Sequence, residues 1–204
     1  MALIVLGAGC LVKKGSVDVA AQQEPPAARI LTLESAADLK LDALPYTQGQ
    51  LILAGTVIPI ELQLKQKGSE IHYLLLASGQ QIEEEIYELG PSELLLRNAS
   101  GESFTPPIPI LRFPMSAGRS WDWSGKMASG PTPPRQASAQ VTSEGVTLNV
   151  PGGPYSSVLV RVKLEIESGG PSAAERHLSF WFAQRAGLVK REFGSSSTRE
   201  PVAE

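Results

Sequence analysis

The stretch SSVLVRVKLEIESGG, residues 156–170, decides how this chain folds. Val158, Val160, Val162, Leu164 and Ile166 alternate with Leu159, Arg161, Lys163, Glu165 and Glu167. A period of two sends successive side chains to opposite faces of a pleated ribbon, so this is a strand with one face on a core and one in water. Gly169, Gly170 and Pro171 end it, and Leu178, Phe180 and Phe182 repeat the pattern over residues 177–183. Just upstream, Pro151-Gly152-Gly153-Pro154 forces a turn that joins the strand to residues 137–150, where the sheet restarts.

Working outward, the same grammar recurs. Ile58, Ile60, Leu62 and Leu64 alternate with Pro59, Glu61, Gln63 and Lys65. Pro59 has no N–H to give a ladder, so it belongs on an edge or with its nitrogen facing outward. Gly68-Ser69 turns the chain into residues 70–77, Ser78-Gly79-Gln80 turns it again, and Ala99-Ser100-Gly101 follows residues 93–98. Residues 81–89 read two ways: Ile82, Ile86 and Leu89 have helical spacing, while the strand neighbours and the Gly90-Pro91-Ser92 turn favour a strand. Residues 105–109, TPPIP, are extended and edge-like. Residues 129–136, SGPTPPRQ, form a surface loop, and residues 33–44 predict one short helix stopped by Pro45.

Composition agrees with many short strands. Sixteen prolines and nineteen glycines punctuate 204 residues of which 42% are hydrophobic, enough for one well-filled domain. Eighteen basic and 21 acidic residues are interspersed, which excludes the basic face that nucleic acid needs. The single cysteine, Cys10, excludes an intrachain disulfide.

Residues 1–10, MALIVLGAGC, carry three readings. In the first they are the remnant of a signal peptide ending in a lipobox, with Cys10 as the acylated residue; the stretch resembles bacterial lipoprotein signals, without the positive leading region those carry. In the second, Gly7 and Gly9 open a dinucleotide-binding turn, but Val12 stands where the third glycine belongs and Pro25-Pro26 interrupts the helix that must follow. The third is a plain core strand. No run of apolar residues is long enough to span a bilayer as a helix, so an anchored chain is held by lipid. Residues 11–30 have the composition of a flexible linker, residues 31–194 of a single β domain, and residues 195–204 of a disordered polar tail.

Three phrases together carry a resemblance. FPMSAGRSWDW (residues 113–123), VPGGPYSSVLVRV (150–162) and FWFAQRAGLVKREF (180–193) resemble recurring phrases of bacterial envelope lipoproteins of a domain-of-unknown-function, TapB-like group. The resemblance covers less than half of the chain. It implies a half-barrel related to the lipoprotein-carrier fold and no particular chemistry. With the strand pattern, the expected fold is mainly β: a single antiparallel curled sheet or half-barrel with one or two short helices.

Candidate chemistry is sparse. His72 and His177 lie on strands without a second ligand at metal spacing, which reads as structural. Glu83, Glu84 and Glu85 are consecutive, which reads as a solvated face. No nucleophile elbow or phosphate-binding loop occurs, so no catalytic residue, metal or cofactor is expected. Asp122 is expected to point outward, with Trp121 packed inside and Trp123 shared between core and rim. Two functions remain. One is a non-enzymatic lipoprotein, anchored in the bacterial envelope through Cys10 and facing the periplasm, that binds another protein or a wall component. The other is a carrier of a lipid or other hydrophobic ligand in an apolar cavity lined by Trp121, Trp123, Phe180, Trp181 and Phe182. A void among these aromatics favours the carrier; a filled core with an exposed apolar patch favours the binding module.

Overall fold

A computed structural model describes residues 2–6, 32–39, 41, 47–150, 153–167 and 174–197. In chain order the strands are β1 (Ala2–Leu6), β2 (Gln48–Leu53), β3 (Thr56–Lys67), β4 (Glu70–Ala77), β5 (Gln80–Leu89) and β6 (Glu93–Ala99). They continue as β7 (Glu102–Arg112), β8 (Ser120–Ser129), β9 (Arg135–Val150), β10 (Gly153–Ile166), β11 (Ala174–Ala183) and β12 (Gly187–Ser197). The eleven strands β2–β12 make one antiparallel sheet whose spatial order is their chain order, curled into a half-barrel. β1 lies between the two edges, antiparallel to both, and closes the barrel.

The β9–β10 ribbon is the longest, in register from Val150↔Gly153 to Ala137↔Ile166. Val158, Val160, Val162, Leu164 and Ile166 all point into the barrel and are almost fully buried, as their alternation requires. They meet Leu178, Phe180 and Phe182 of β11 on one side and Ala137, Ala139 and Val141 of β9 on the other. Gly187 takes a φ of 67° at the turn into β12, where a side chain would also press on the Leu39 carbonyl.

Residues 81–89 form a strand. Glu83, Glu85 and Tyr87 pair with the inward Leu75, Tyr73 and Ile71 of β4 and Ile86 with the outward His72, so the inner face of this strand carries two acids and its isoleucines lie outside. Pro59 pairs with Gln50 of β2, while β4 joins β3 only from Glu61 onward, so the proline sits where its strand has a locally free edge. Among the described residues of the short helix expected at 33–44, Ala36–Leu39 form a 3-10 turn. The Asp38 carboxylate accepts the N–H groups of Glu34 and Ser35 and so caps the start of this turn, while the Asp38 carbonyl accepts the Arg185 N–H of the β11–β12 turn. β12 continues through Ser197 by pairing with residues 174–176, so residues 195–197 are strand. Cys10, the linker at 11–30 and residues 198–204 lie outside the described residues.

In such a meander all turns after odd-numbered strands fall at one end. Residues 32–41 cross that end: Leu33 pairs with Met115 in the β7–β8 connection, and the Asp38 carbonyl accepts the Arg185 N–H in the β11–β12 turn. Leu33, Leu39 and Leu41 are buried in the core and plug this end.

Candidate functional site

The five aromatics do not share a cavity. On β11, Phe180 and Phe182 point inward with rings 6.3 Å apart, and Trp181 between them points to the other face of the sheet, as a strand's period of two requires. Trp181 is buried there among Leu148, Leu159, Ala183, Ala186 and Val189, with the Lys190 ammonium 4.4 Å from its ring centre. Trp121 and Trp123 of β8 both face inward, but with their depths exchanged relative to expectation. Trp123 is buried against Phe104, while Trp121 is half-buried at the rim with the Arg112 guanidinium 5.5 Å from its ring centre. Asp122 is exposed, as expected.

The two indoles have a structural task. β7 and β8 pair from Glu102↔Ser129 to Thr105↔Lys126, and the ladder then stops at Pro106, Pro107 and Pro109. Beyond that point the Trp123 indole N–H donates to the Pro106 carbonyl at 3.1 Å and the Trp121 indole N–H to the Pro109 carbonyl at 2.8 Å. The tryptophans thus donate to carbonyls on the stretch of β7 where the ladder with β8 has ended. Gly125 makes room: a Cβ there would lie 2.6 Å from both the Thr105 carbonyl oxygen and a Trp123 ring carbon.

Inside the barrel an apolar crevice, lined by Leu41, Ile71, Tyr73, Tyr87, Leu94, Phe182 and Leu188, holds about 180 Å³ of empty space so narrow that it admits no water molecule. Pockets that take small-molecule ligands run from roughly 300 Å³ upward.

What sequence reasoning missed is a set of charges inside the barrel. Glu83 and Glu85 point inward from β5 rather than into solvent, and Glu84 points outward to His72. Glu85 is fully buried; its carboxylate meets the Arg191 guanidinium of β12 and accepts the Tyr87 hydroxyl at 2.8 Å. Glu83 lies 3.6 Å from the same guanidinium. β5 and β12 are not sheet neighbours, so this ion pair spans the lumen and ties opposite walls together. Burial pushes Arg191 down to about 10, against the pull of Glu83, so it remains a cation at neutral pH. Burial likewise raises the Tyr73 and Tyr87 phenols above their ordinary value. A second pair, Arg176 of β11 with Glu102 of β7 at 3.3 Å, also joins strands that are not neighbours. The one signal available beforehand was that strand alternation must separate Glu84 from Glu83 and Glu85.

On the outer face, His72 is buried between Glu84 at 2.7 Å and Glu70 at 3.5 Å, and His177 pairs with Glu175. The outside of β8–β10 carries shallow polar grooves with Asp122, Ser124, Ser138, Gln140, Lys163 and Glu165. Lys163 lies 3.0 Å from Glu175 and Arg161 2.7 Å from Glu144; these hydrogen bonds raise the two bases and lower the two acids. Among the described residues no group of His, Cys, Asp and Glu is arranged to hold a metal ion.

Among the described residues, the exposed large hydrophobics are Leu53, Val57 and Ile82. Leu53 and Val57 flank the Ala54-Gly55 turn of the β2–β3 hairpin, at the end of the barrel opposite the plug. Because Val57 pairs with Ile52 and Leu53 with Thr56, the two fall on opposite faces, and the tip is apolar on both.

Compared with known proteins, the chain matches no family model, and neither the curated proteins nor the solved structures offer a match.

Proposed function

We propose that this chain is a non-enzymatic binding module of the bacterial cell envelope, held at a membrane by lipid on Cys10, that engages another protein or a wall component. The observation that carries the binding part is the contrast between a packed, ion-paired interior and an exposed apolar hairpin tip at Leu53 and Val57. A carrier needs the reverse: room inside and no buried charge to desolvate beside its ligand. The envelope address rests on MALIVLGAGC and on the phrase resemblance alone.

Two measurements test the two parts. Intact-mass spectrometry of protein made in its own host, from the gene with its upstream codons, should find a mature chain beginning at acylated Cys10. A chain that keeps Met1 and carries no lipid defeats the anchor. Photo-crosslinkers placed at Val57 and, as a control, at Gln140 on the polar outer face should give a defined cross-linked species from Val57 only. Equal labelling from both positions, or a bound lipid extracted from the purified protein, defeats the binding reading.

A further inference from the structure

The half-barrel β2–β12 has two edges, and β1 fills the interval between them. It pairs with β2 from Ala2↔Leu53 to Leu6↔Gly49 and with β12 from Ala2↔Phe193 to Val5↔Lys190. With neighbouring strands about 4.8 Å apart, the interval is one strand wide, about 9.6 Å from edge to edge. The spacing of the edges is fixed from inside, where Arg191 of β12 meets Glu85 of β5 across the packed lumen. Without β1, both edges present unpaired N–H and C=O groups facing one another across a slot.

Resting on the reading proposed above, this has a consequence for the exported protein. Hydrolysis of the Gly9–Cys10 peptide bond leaves Cys10 as the first residue and releases Ala2–Leu6, the segment seated in the slot. We propose that the interval between β2 and β12 is a strand-accepting site, and that in the tethered form it takes an extended, uncharged aliphatic segment of a partner protein. The chemistry of that segment is read from its surrogate. ALIVL has no charge and no proline and is mostly aliphatic. It runs antiparallel to both edges, so main-chain hydrogen bonds on both sides supply affinity for an extended segment of that composition. The exposed hairpin tip at Leu53 and Val57 belongs to the strand pair that forms one wall of the slot, so a partner strand longer than five residues would run directly onto it.

The test uses the full chain. In a C10S background, Ile4→Pro removes an N–H and fixes φ in the middle of β1, which evicts the strand from a doubly paired position. The probe is the peptide of residues 2–6 with flanking lysines and cysteine at the Leu3 position, whose register partner on β2 is Ile52. Under mild oxidation the I4P/I52C chain should form one disulfide-linked peptide adduct per molecule, and the I4P/Q63C chain, with its thiol in mid-sheet, should form none. A peptide with Asp at the Ile4 position should not react with either. Should I4P fail to fold, the chain with I52C alone and an intact β1 is incubated with excess peptide, and the same adduct should accumulate as β1 opens. No adduct at I52C above the Q63C background in either form overturns the slot. Retention of Met1 in the native host overturns the tether and leaves the peptide result standing, so the two failures are distinct.

Discussion

Arg191→Met removes the lumenal cation and keeps most of its volume. Arg191 is 4% exposed and Glu85 not at all, so the substitution strands a buried carboxylate with only the Tyr87 hydroxyl as partner. Breaking one side of such a pair costs about 3–5 kcal/mol, whereas replacing both ions by apolar groups is neutral or stabilising by about 1–4 kcal/mol. Glu85→Gln keeps the site polar but leaves Arg191 with Glu83 alone, 3.6 Å away, and belongs in the same range. The R191M/E85L double variant should therefore be far less destabilised than the sum of its single variants. Urea unfolding followed by tryptophan fluorescence reads this as a loss of about 1–2 M in midpoint for R191M and recovery of most of it in the double variant. The pH dependence supplies a second sign. In R191M the unpaired carboxyl has a folded pKa raised above its unfolded value, so the native state binds the proton more tightly. The penalty is then full above that folded pKa and shrinks as pH falls through it, by up to about 1.4 kcal/mol per unit. Additive single variants, with coupling under about 0.5 kcal/mol, would falsify the lumenal ion pair as drawn.

Other outcomes follow from the same geometry. Gly125→Ala places a methyl 2.6 Å from the Thr105 carbonyl and the Trp123 ring and should cost about 1–3 kcal/mol, whereas alanine at Gly194, which has open space, should be far milder; thermal melts compare them. Trp123→Phe leaves the Pro106 carbonyl without its donor and should destabilise by about 1–3 kcal/mol beyond lost packing, checked by whether Trp121→Phe, at the more exposed rim, costs less. Tyr73 and Tyr87 have raised pKa values in the fold, so stability is intact below the unfolded tyrosine value near pH 10 and is lost above it, by about 1.4 kcal/mol per unit for each. Absorbance at 295 nm should then show their ionisation only together with the loss of β-sheet circular dichroism, and two buried phenolates in a native spectrum would contradict it. Titration with a long-chain fatty acid should show no saturable binding to the native chain, since the apolar crevice of about 180 Å³ in the lumen is closed to water; a stoichiometric complex would refute the packing drawn here.

Much of the sheet was legible because a strand with one wet face writes itself as alternation. Val158 to Ile166, Ile58 to Leu64 and the Gly-marked turns at 68, 79 and 101 fall where that pattern puts them. The interior was less legible. Alternation says that Glu83 and Glu85 share a face, but only the curl of the sheet, which brings β12 opposite β5, says that the face is the inner one. The same holds for Trp181, whose neighbours in sequence are core residues while its own face is the outer one. The tryptophan–proline hydrogen bonds were hidden for another reason: they depend on where the β7–β8 ladder stops, which no single stretch encodes.

The chain-ordered sheet also bears on how the molecule assembles. From β2 to β12 each new strand lays down beside the one just made, closing only a short loop, so the sheet can grow by accretion from the long β9–β10 ribbon at small entropic cost. Contacts between opposite walls are different in kind, because Arg191 and Glu85 lie more than a hundred residues apart and meet only when the curl is complete. Until that moment both ions remain hydrated and incur no desolvation penalty. The charges inside this barrel therefore act late, selecting the finished curvature from among sheets that are paired correctly but not yet rolled.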